Sequence, residues 1–339
     1  MTMKTLQFDP VGVMANKPRV GLRYLATIGI AAALLINGAG MATANSGATP
    51  LPLPSYEEAV ASPDWVLTPM GLAYAACVHE VPDGAEISVA DGTIKVGGVR
   101  VATVQKCPYS GLVSAPDSVA AVRTGSDAKS VVPAAFPNDW WLDSWWDSST
   151  EITSLSAQWA VPANPAVNGA TIFLFPSLEP SSAGGGIVQP VLQWGTSGAT
   201  GGNFWGVANW FVKGGTSYHG SLTPTPAGHV IKGTISRSAS NTGSWIVGFT
   251  DLTTGVSSDY STSTGITSWK AVQGGVLEVY NATSCTQLPN TTGVTFSNIV
   301  VKNAAGSVTP SFATHNHAQT CSSSITPTAA TAALKWKAA

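Results

Sequence analysis

Ile187-Val188-Gln189-Pro190-Val191-Leu192-Gln193-Trp194 is the stretch from which the fold of this chain is read. Successive side chains of a strand point to opposite faces. Gln189, Val191 and Gln193 therefore share one side, and Val188, Pro190, Leu192 and Trp194 share the other. One face is apolar and fit for a core; the second carries two amides. Read locally, the amide face is the solvent side of an edge strand, and Pro190, with no N–H for a ladder, predicts a bulge or an edge position. A second stretch, Gln273-Gly274-Gly275-Val276-Leu277-Glu278-Val279-Tyr280, sets one carboxylate inside an apolar run. Burying it is costly unless it is hydrogen-bonded or protonated, and desolvation raises its pKa. Glu278 is thus either a carboxyl tied to a neighbouring strand or a candidate general acid or base.

Outward from these two stretches the β signal is sustained. Strands are expected at Ile152 to Val161, Thr171 to Phe175, Gly186 to Trp194, Trp205 to Val212, Ser217 to Leu222, His229 to Ser236, Ser244 to Thr250, Trp269 to Tyr280 and Gly293 to Val301. Short strands divided by Gly, Pro, Asn and Ser turns, with no convincing amphipathic helix, indicate an all-β sandwich or jelly roll over residues 139–339. Upstream, residues 45–110 read as a small β module or propeptide. Its strand signals are Leu72 to Tyr74, Glu86 to Val89, Thr93 to Val96 and Val99 to Ala102, with turns at Asp91-Gly92 and Gly97-Gly98. Residues 111–138 read as a Ser/Pro/Ala-rich linker. Trp140, Trp141, Trp145 and Trp146 follow at once, as a hydrophobic lid or edge strand or as a platform for stacking sugar rings.

Only 10% of the 339 residues are charged, against about a quarter in ordinary soluble domains. Surface polarity must come from Ser, Thr, Asn and Gly, as in many secreted β proteins; the same composition would also spare the fold self-repulsion in acid. A net charge of −2 without a basic run speaks against nucleic acid as a partner. Residues 1–44 have the pattern of a signal peptide. Lys17, Arg19 and Arg23 precede an apolar run from Leu25 to Ile36, and Ala42-Thr43-Ala44 predicts cleavage after Ala44. The apolar run is too short to favour a membrane span, so a secreted chain without stable membrane association is expected, as a monomer. The four cysteines then favour disulfides, and Cys77–Cys107 with Cys285–Cys321 closes the shortest loops.

Familiar catalytic patterns are missing. The sequence holds no GxSxG elbow, no HExxH and no Gly-rich phosphate loop. His315-Asn316-His317 puts two imidazoles on one face of a strand, but no third ligand lies nearby in sequence, so neither a metal nor a cofactor is expected.

The order of several short motifs resembles the glutamic peptidases of fungal type, the eqolisins. Gln158-Trp159-Ala160-Val161-Pro162 comes first, then Gly186-Ile187-Val188-Gln189, then Trp205 and Trp210. Pro226-Ala227-Gly228-His229-Val230-Ile231 is similar to the family's "GD-x-I" strand start, and Asp251-Leu252-Thr253-Thr254-Gly255 to its "NLTTG" hairpin. Gly275-Val276-Leu277-Glu278-Val279-Tyr280 is similar to its "(W/F)-I-(V/I)-E-D-F" segment, and Val294-Thr295-Phe296-Ser297-Asn298 to the strand that follows. The resemblance covers roughly residues 152–302. It implies a concanavalin A-like antiparallel sandwich and a Gln/Glu dyad on one sheet, which by motif position falls on Gln189 and Glu278. Gln193 is the fallback for the amide, because Gln193-Trp194-Gly195 keeps the family's "Q-x-G" where Gln189-Pro190-Val191 does not.

That dyad has coherent chemistry. An ionised Glu278 could take a proton from a water attacking a peptide carbonyl and return it to the leaving amine. A Gln amide cannot titrate, but it can orient the water and donate to the developing oxyanion. The expected activity is a secreted, acid-acting endopeptidase acting on polypeptide, without a cofactor, with Gln193, Trp194, Trp205 and Trp210 as substrate-binding residues. The alternative is a non-catalytic sandwich that binds carbohydrate or a cell-surface polymer through its tryptophans.

Overall fold

The structure is a computed structural model and describes residues 49–116, 136–180, 185–239, 241, 243–266 and 268–338. The signal-peptide reading of residues 1–44, and most of the linker reading of 111–138, lie outside them. From Thr49 onward the chain is one compact unit. Its strands are β1 (Trp65–Thr68), β2 (Gly71–Tyr74), β3 (Val78–Val81), β4 (Ala85–Ser88), β5 (Thr93–Val96), β6 (Val99–Thr103), β7 (Asp139–Asp147), β8 (Ile152–Ala160), β9 (Thr171–Glu179), β10 (Ile187–Ser197) and β11 (Thr200–Lys213). They continue with β12 (Thr216–Gly220), β13 (Thr223–Pro224), β14 (Val230–Arg237), β15 (Ser244–Asp251), β16 (Ser257–Ser263), β17 (Ala271–Tyr280), β18 (Gly293–Asn303), β19 (Gly306–Val308), β20 (Ala313–Asn316), β21 (Ser324–Pro327) and β22 (Ala332–Lys335). One short helix, α1 (Tyr56–Ala61), starts at a capping box between Ser55 and Glu58. No helix among the described residues is long and apolar enough to cross a membrane.

Two large sheets form the sandwich expected from the sequence. The first runs β20-β7-β17-β9-β10-β11-β12-β3 with β13 on β11; the second runs β21-β22-β18-β8-β14-β15-β16-β4-β5-β6 with β19 on β18. Pairing is antiparallel except where β3 joins β12 and β4 joins β16. Between the sheets the apolar faces interdigitate, Leu174, Leu192 and Phe211 from the first meeting Leu155, Ile231 and Phe249 from the second. These are the positions that period-two alternation assigns inward, and each such Leu or Phe contributes about 1.5–3 kcal/mol on burial.

The N-terminal segment, read from the sequence as a small β module or propeptide, is packed into both sheets of the main body. Its strands are only four or five residues long and build no more than a small cluster around Ala59, Leu72 and Val113, while Val81, Ile87 and Ile94 join the core between the sheets. The β4-β5-β6 meander is present, but it extends the second sheet while β3 edges the first. The tryptophan cluster differs from its sequence reading. It forms β7, an interior strand flanked by β17 and β20, in which Trp140 and Trp141 are buried. Both disulfides have the expected pairing, Cys77–Cys107 and Cys285–Cys321.

The edge-strand reading of Ile187 to Trp194 is corrected as well. β10 lies between β9 and β11 in the middle of its sheet. Pro190 is tolerated because the β9 ladder, which pairs Val188 with Leu178 and Leu192 with Leu174, is interrupted between those pairs. The same register sets Pro190 across from Pro176, so two residues lacking an N–H face each other and neither strands a partner. The outer face of this sheet is covered too. Trp140, Phe173, Val191, Trp210 and Val276 form a second cluster, roofed by Leu67, Met70, Val78 and Leu112 of the N-terminal segment.

Candidate active site on the roofed face of the first sheet

Glu278 sits on β17 between Leu277 and Val279, both of which point into the core between the sheets. Alternation therefore turns the carboxylate to the roofed face, where it is fully buried. Its Oε1 accepts the Met70 N–H at 2.7 Å and the Tyr280 hydroxyl at 2.6 Å. Its Oε2 is buried with no hydrogen-bond partner among the described residues. Burial pushes the Glu278 carboxyl up to about 8, the charges of Asp139 and Glu179 add to the rise, and the Tyr280 and Met70 donors oppose it. A carboxyl in this state is protonated over the whole acid range.

Cross-strand register shows which amide shares its row. Glu278 of β17 pairs with Phe173 of β9, and Phe173 pairs with Gln193 of β10. Gln193 and Glu278 thus flank Phe173 on one face, two strands or roughly 10 Å apart. The Gln193 amide is fully engaged: its Nε2 donates to the carbonyls of Gly195 and Thr200, each at 2.8 Å, and its Oε1 accepts the Ser197 hydroxyl at 2.8 Å. Gln189 points to the same face but four residues along β10, roughly 13 Å of strand from that row. Its row contains Trp210, paired with it on β11, and then His219 on β12. Both polar atoms of the buried Gln189 amide lack a partner among the described residues. Leaving such a group unsatisfied costs about 1–3 kcal/mol, and it marks a place where a polar guest would be welcome.

The four residues expected to bind substrate divide between the faces. Gln193 and Trp210 lie on the roofed face with Glu278. Trp194 and Trp205 do not: they pair with each other across β10 and β11, 5.5 Å between ring centroids, inside the core between the sheets. One-residue steps along a strand reverse the face, so a tryptophan adjacent to Gln193 cannot share its side.

Two contributors were not anticipated from the sequence. Tyr280 stands two residues from Glu278 on the same strand, where alternation alone would have aligned them. Met70 contributes a main-chain N–H, which carries no residue signature, and it comes from 208 positions away. It belongs to the turn joining β1 to β2. That turn is held on its other side by Gly198, whose N–H donates to the Leu67 carbonyl at 2.7 Å, and on top by Val113, which exchanges two backbone hydrogen bonds with Leu72. A short hairpin therefore lies over the row of Glu278, with backbone hydrogen bonds at both ends.

No family model and no curated protein matches the sequence. Solved structures do. One of scytalidoglutamic peptidase with a peptide-based transition state analogue aligns with 14% identity over 59% of this chain and 98% of that one, at a TM-score of 0.45. One of SCP-B, a member of the eqolisin family, in complex with the tripeptide Ala-Ile-His aligns with 15% identity over the same shares, at a TM-score of 0.43. At these values the likeness is one of shape and has no bearing on chemistry.

Proposed function

We propose that this chain is a secreted endopeptidase of the glutamic type, made in a latent form, in which Glu278 is the acid/base and Gln193 the amide that serves the oxyanion. The observation that carries the reading is Glu278 itself: a fully buried carboxyl on the roofed face, one oxygen without a hydrogen-bond partner among the described residues and the other hydrogen-bonded by the main chain of an extended segment lying over it. A main-chain N–H resting on the catalytic carboxyl is what a bound polypeptide would offer, so the 68–71 turn stands where substrate would lie. In the covered state the carboxyl is protonated and no substrate reaches it. Removal of the roof readmits water, the desolvation that raised the pKa relaxes, and Glu278 ionises in the mildly acid range. It then takes a proton from the attacking water and delivers it to the leaving nitrogen. Gln193 turns from its carbonyl partners and donates to the oxyanion; Tyr280 holds the carboxyl in position throughout.

Gln193 is preferred to the Gln189 of the sequence reading because it shares the row of Glu278. Gln189, with Trp210, is assigned to a flanking subsite that receives a polar group of the substrate. Of the six tryptophans on which the carbohydrate reading draws, Trp140, Trp141, Trp205 and Trp210 are buried, and only Trp145 and Trp146 keep partial exposure, which leaves that reading a platform of two rings. Hydrolysis of denatured casein at acid pH, with and without pepstatin, tests the assignment. Pepstatin-resistant cleavage is expected to fall at least about a thousandfold in Glu278→Gln, about a hundredfold or more in Gln193→Ala as for loss of an oxyanion donor, and by less in Gln189→Ala. Undiminished cleavage by Glu278→Gln would refute it.

A further inference from the structure

The two histidines left without a third ligand by the sequence acquire one from the fold. His315 lies on β20 directly across from Asp143 of β7 in the strand register, 172 positions away in sequence. Its Nδ1 is 2.9 Å from Asp143 Oδ2, and Nε2 of His317, just past the end of β20, is 2.9 Å from Oδ1. The His317 backbone N–H donates to the Trp141 carbonyl at 2.9 Å, which carries the alignment beyond the strand. Asn316, between them, turns away. Its side chain hydrogen-bonds Gln319 and Ser323 and closes the loop that contains Cys321 of the second disulfide. The imidazoles are thus fixed by the sheet on one side and by a stapled loop on the other.

We infer that Asp143, His315 and His317 form a binding site for a zinc-type divalent cation. One ligand atom from each residue lies within 4.8 Å of the others, and the two carboxylate contacts are 2.9 Å. Ligands at about 2.0–2.2 Å around a tetrahedral zinc stand about 3.4 Å apart. Both carboxylate contacts are shorter than that value and the 4.8 Å limit on the set exceeds it, so side-chain rotations that part the imidazoles from the carboxylate seat the ion. The donor set is two imidazoles and one carboxylate, which suits zinc, cobalt or nickel and not the all-oxygen cages of calcium and magnesium. Asp143 is wholly buried, whereas the side chains of His315 and His317 keep 38% and 28% of their exposure. The ion therefore has a solvent side, where water completes its shell. Binding displaces the ring protons that now face the carboxylate, and it locks β20 and the C-terminal segment onto β7. The site stands apart from the peptidase reading and needs none of its residues.

The test uses the full secreted chain, stripped with a chelator and titrated at neutral pH with cobalt(II), then zinc. One equivalent of cobalt should saturate a tetrahedral visible absorption band, zinc should displace it, and zinc should raise the melting temperature in a manner reversed by chelator. His315→Ala and His317→Ala, at partly exposed positions that leave the core intact, should each weaken binding at least about tenfold. His229→Ala, which removes the other imidazole paired with a carboxylate, His229 with Asp251, should leave it unchanged. Absence of saturable binding, or full binding by the double His315→Ala/His317→Ala variant, would overturn the proposal.

Discussion

Glu278 is where the energetics of a single residue are most exposed to measurement. Its carboxyl has an ordinary value of 4.5 and is raised to about 8 when folded. Between these values the folded chain holds a proton that the unfolded chain has released. Stability is therefore fully present below about pH 4.5 and declines as pH rises toward 8, at about 1.4 kcal/mol per pH unit from this group. Glu278→Gln, which stays neutral, should flatten that decline, so urea midpoints of the variant measured at pH 5 and pH 8 should lie closer together than those of the parent chain. Asp143 shows the opposite balance. Burial alone would raise it, but the N–H groups of His315 and His317 hold it below the usual carboxylate range. Of these two acids the sequence marked only Glu278. Glu278 stood out because its strand is otherwise apolar, whereas Asp143 sits among the tryptophans of β7 and acquires meaning only when β20 is laid beside it.

At the scale of elements the decisive feature is the β1–β2 hairpin. Met70 has φ 94° and Gly71 φ 128°, a left-handed pair that costs a methionine about 1 kcal/mol or more and that contact with Glu278 and Val113 must hold. A Cβ on Gly71 would come within 2.8 Å of the Val113 carbonyl oxygen. Gly71→Ala is accordingly expected to loosen the roof without touching the sheet below, raising hydrolysis by the intact chain several-fold over the parent; an unchanged rate would mean that the turn is not what restrains the site. The strands themselves were largely legible. Alternation found the runs that became β8 to β12, β14, β15, β17 and β18, because each has one face packed between the sheets. It missed β7 and misplaced β10, two of the strands whose second face is also covered. β7 reads as a hydrophobic lump since its second face is roofed by residues remote in sequence, and β10 reads as an edge because its amides look solvent-facing until the hairpin is placed over them. Trp194 and Trp205 were grouped with Gln193 on the strength of the motif order, against the alternation that puts them in the core.

For the whole molecule, the N-terminal segment is stitched into both sheets, with β3 on one and β4 on the other, so the roof cannot lift as a rigid lid hinged at one point. Its release requires unpairing two parallel strand edges, which suits a step that cuts the chain better than a reversible opening. Cys77–Cys107 lies within this segment and does not tie it to the remainder, while Cys285–Cys321 secures the C-terminal strands. With sequence separations of 30 and 36, each loop is worth roughly 3–4 kcal/mol in a chain-entropy account. Urea unfolding with and without reductant should register a loss on that scale, and an unmoved midpoint would show that neither staple matters. The pairing was readable from spacing; the interleaving of the segment with both sheets was not, because parallel edge pairing leaves no mark in short strands.

The account rests on a carboxyl that hydrolyses peptides once its roof is gone. The most direct measurement follows peptide-bond cleavage and the integrity of the N-terminal segment together, by mass spectrometry, from the moment the purified chain is brought to acid pH. A lag is predicted, with activity rising in step with loss of the 49–113 segment in the parent chain and no activity at any time in Glu278→Gln. Full activity from the intact chain at zero time, or activity in Glu278→Gln after the segment has gone, would contradict it.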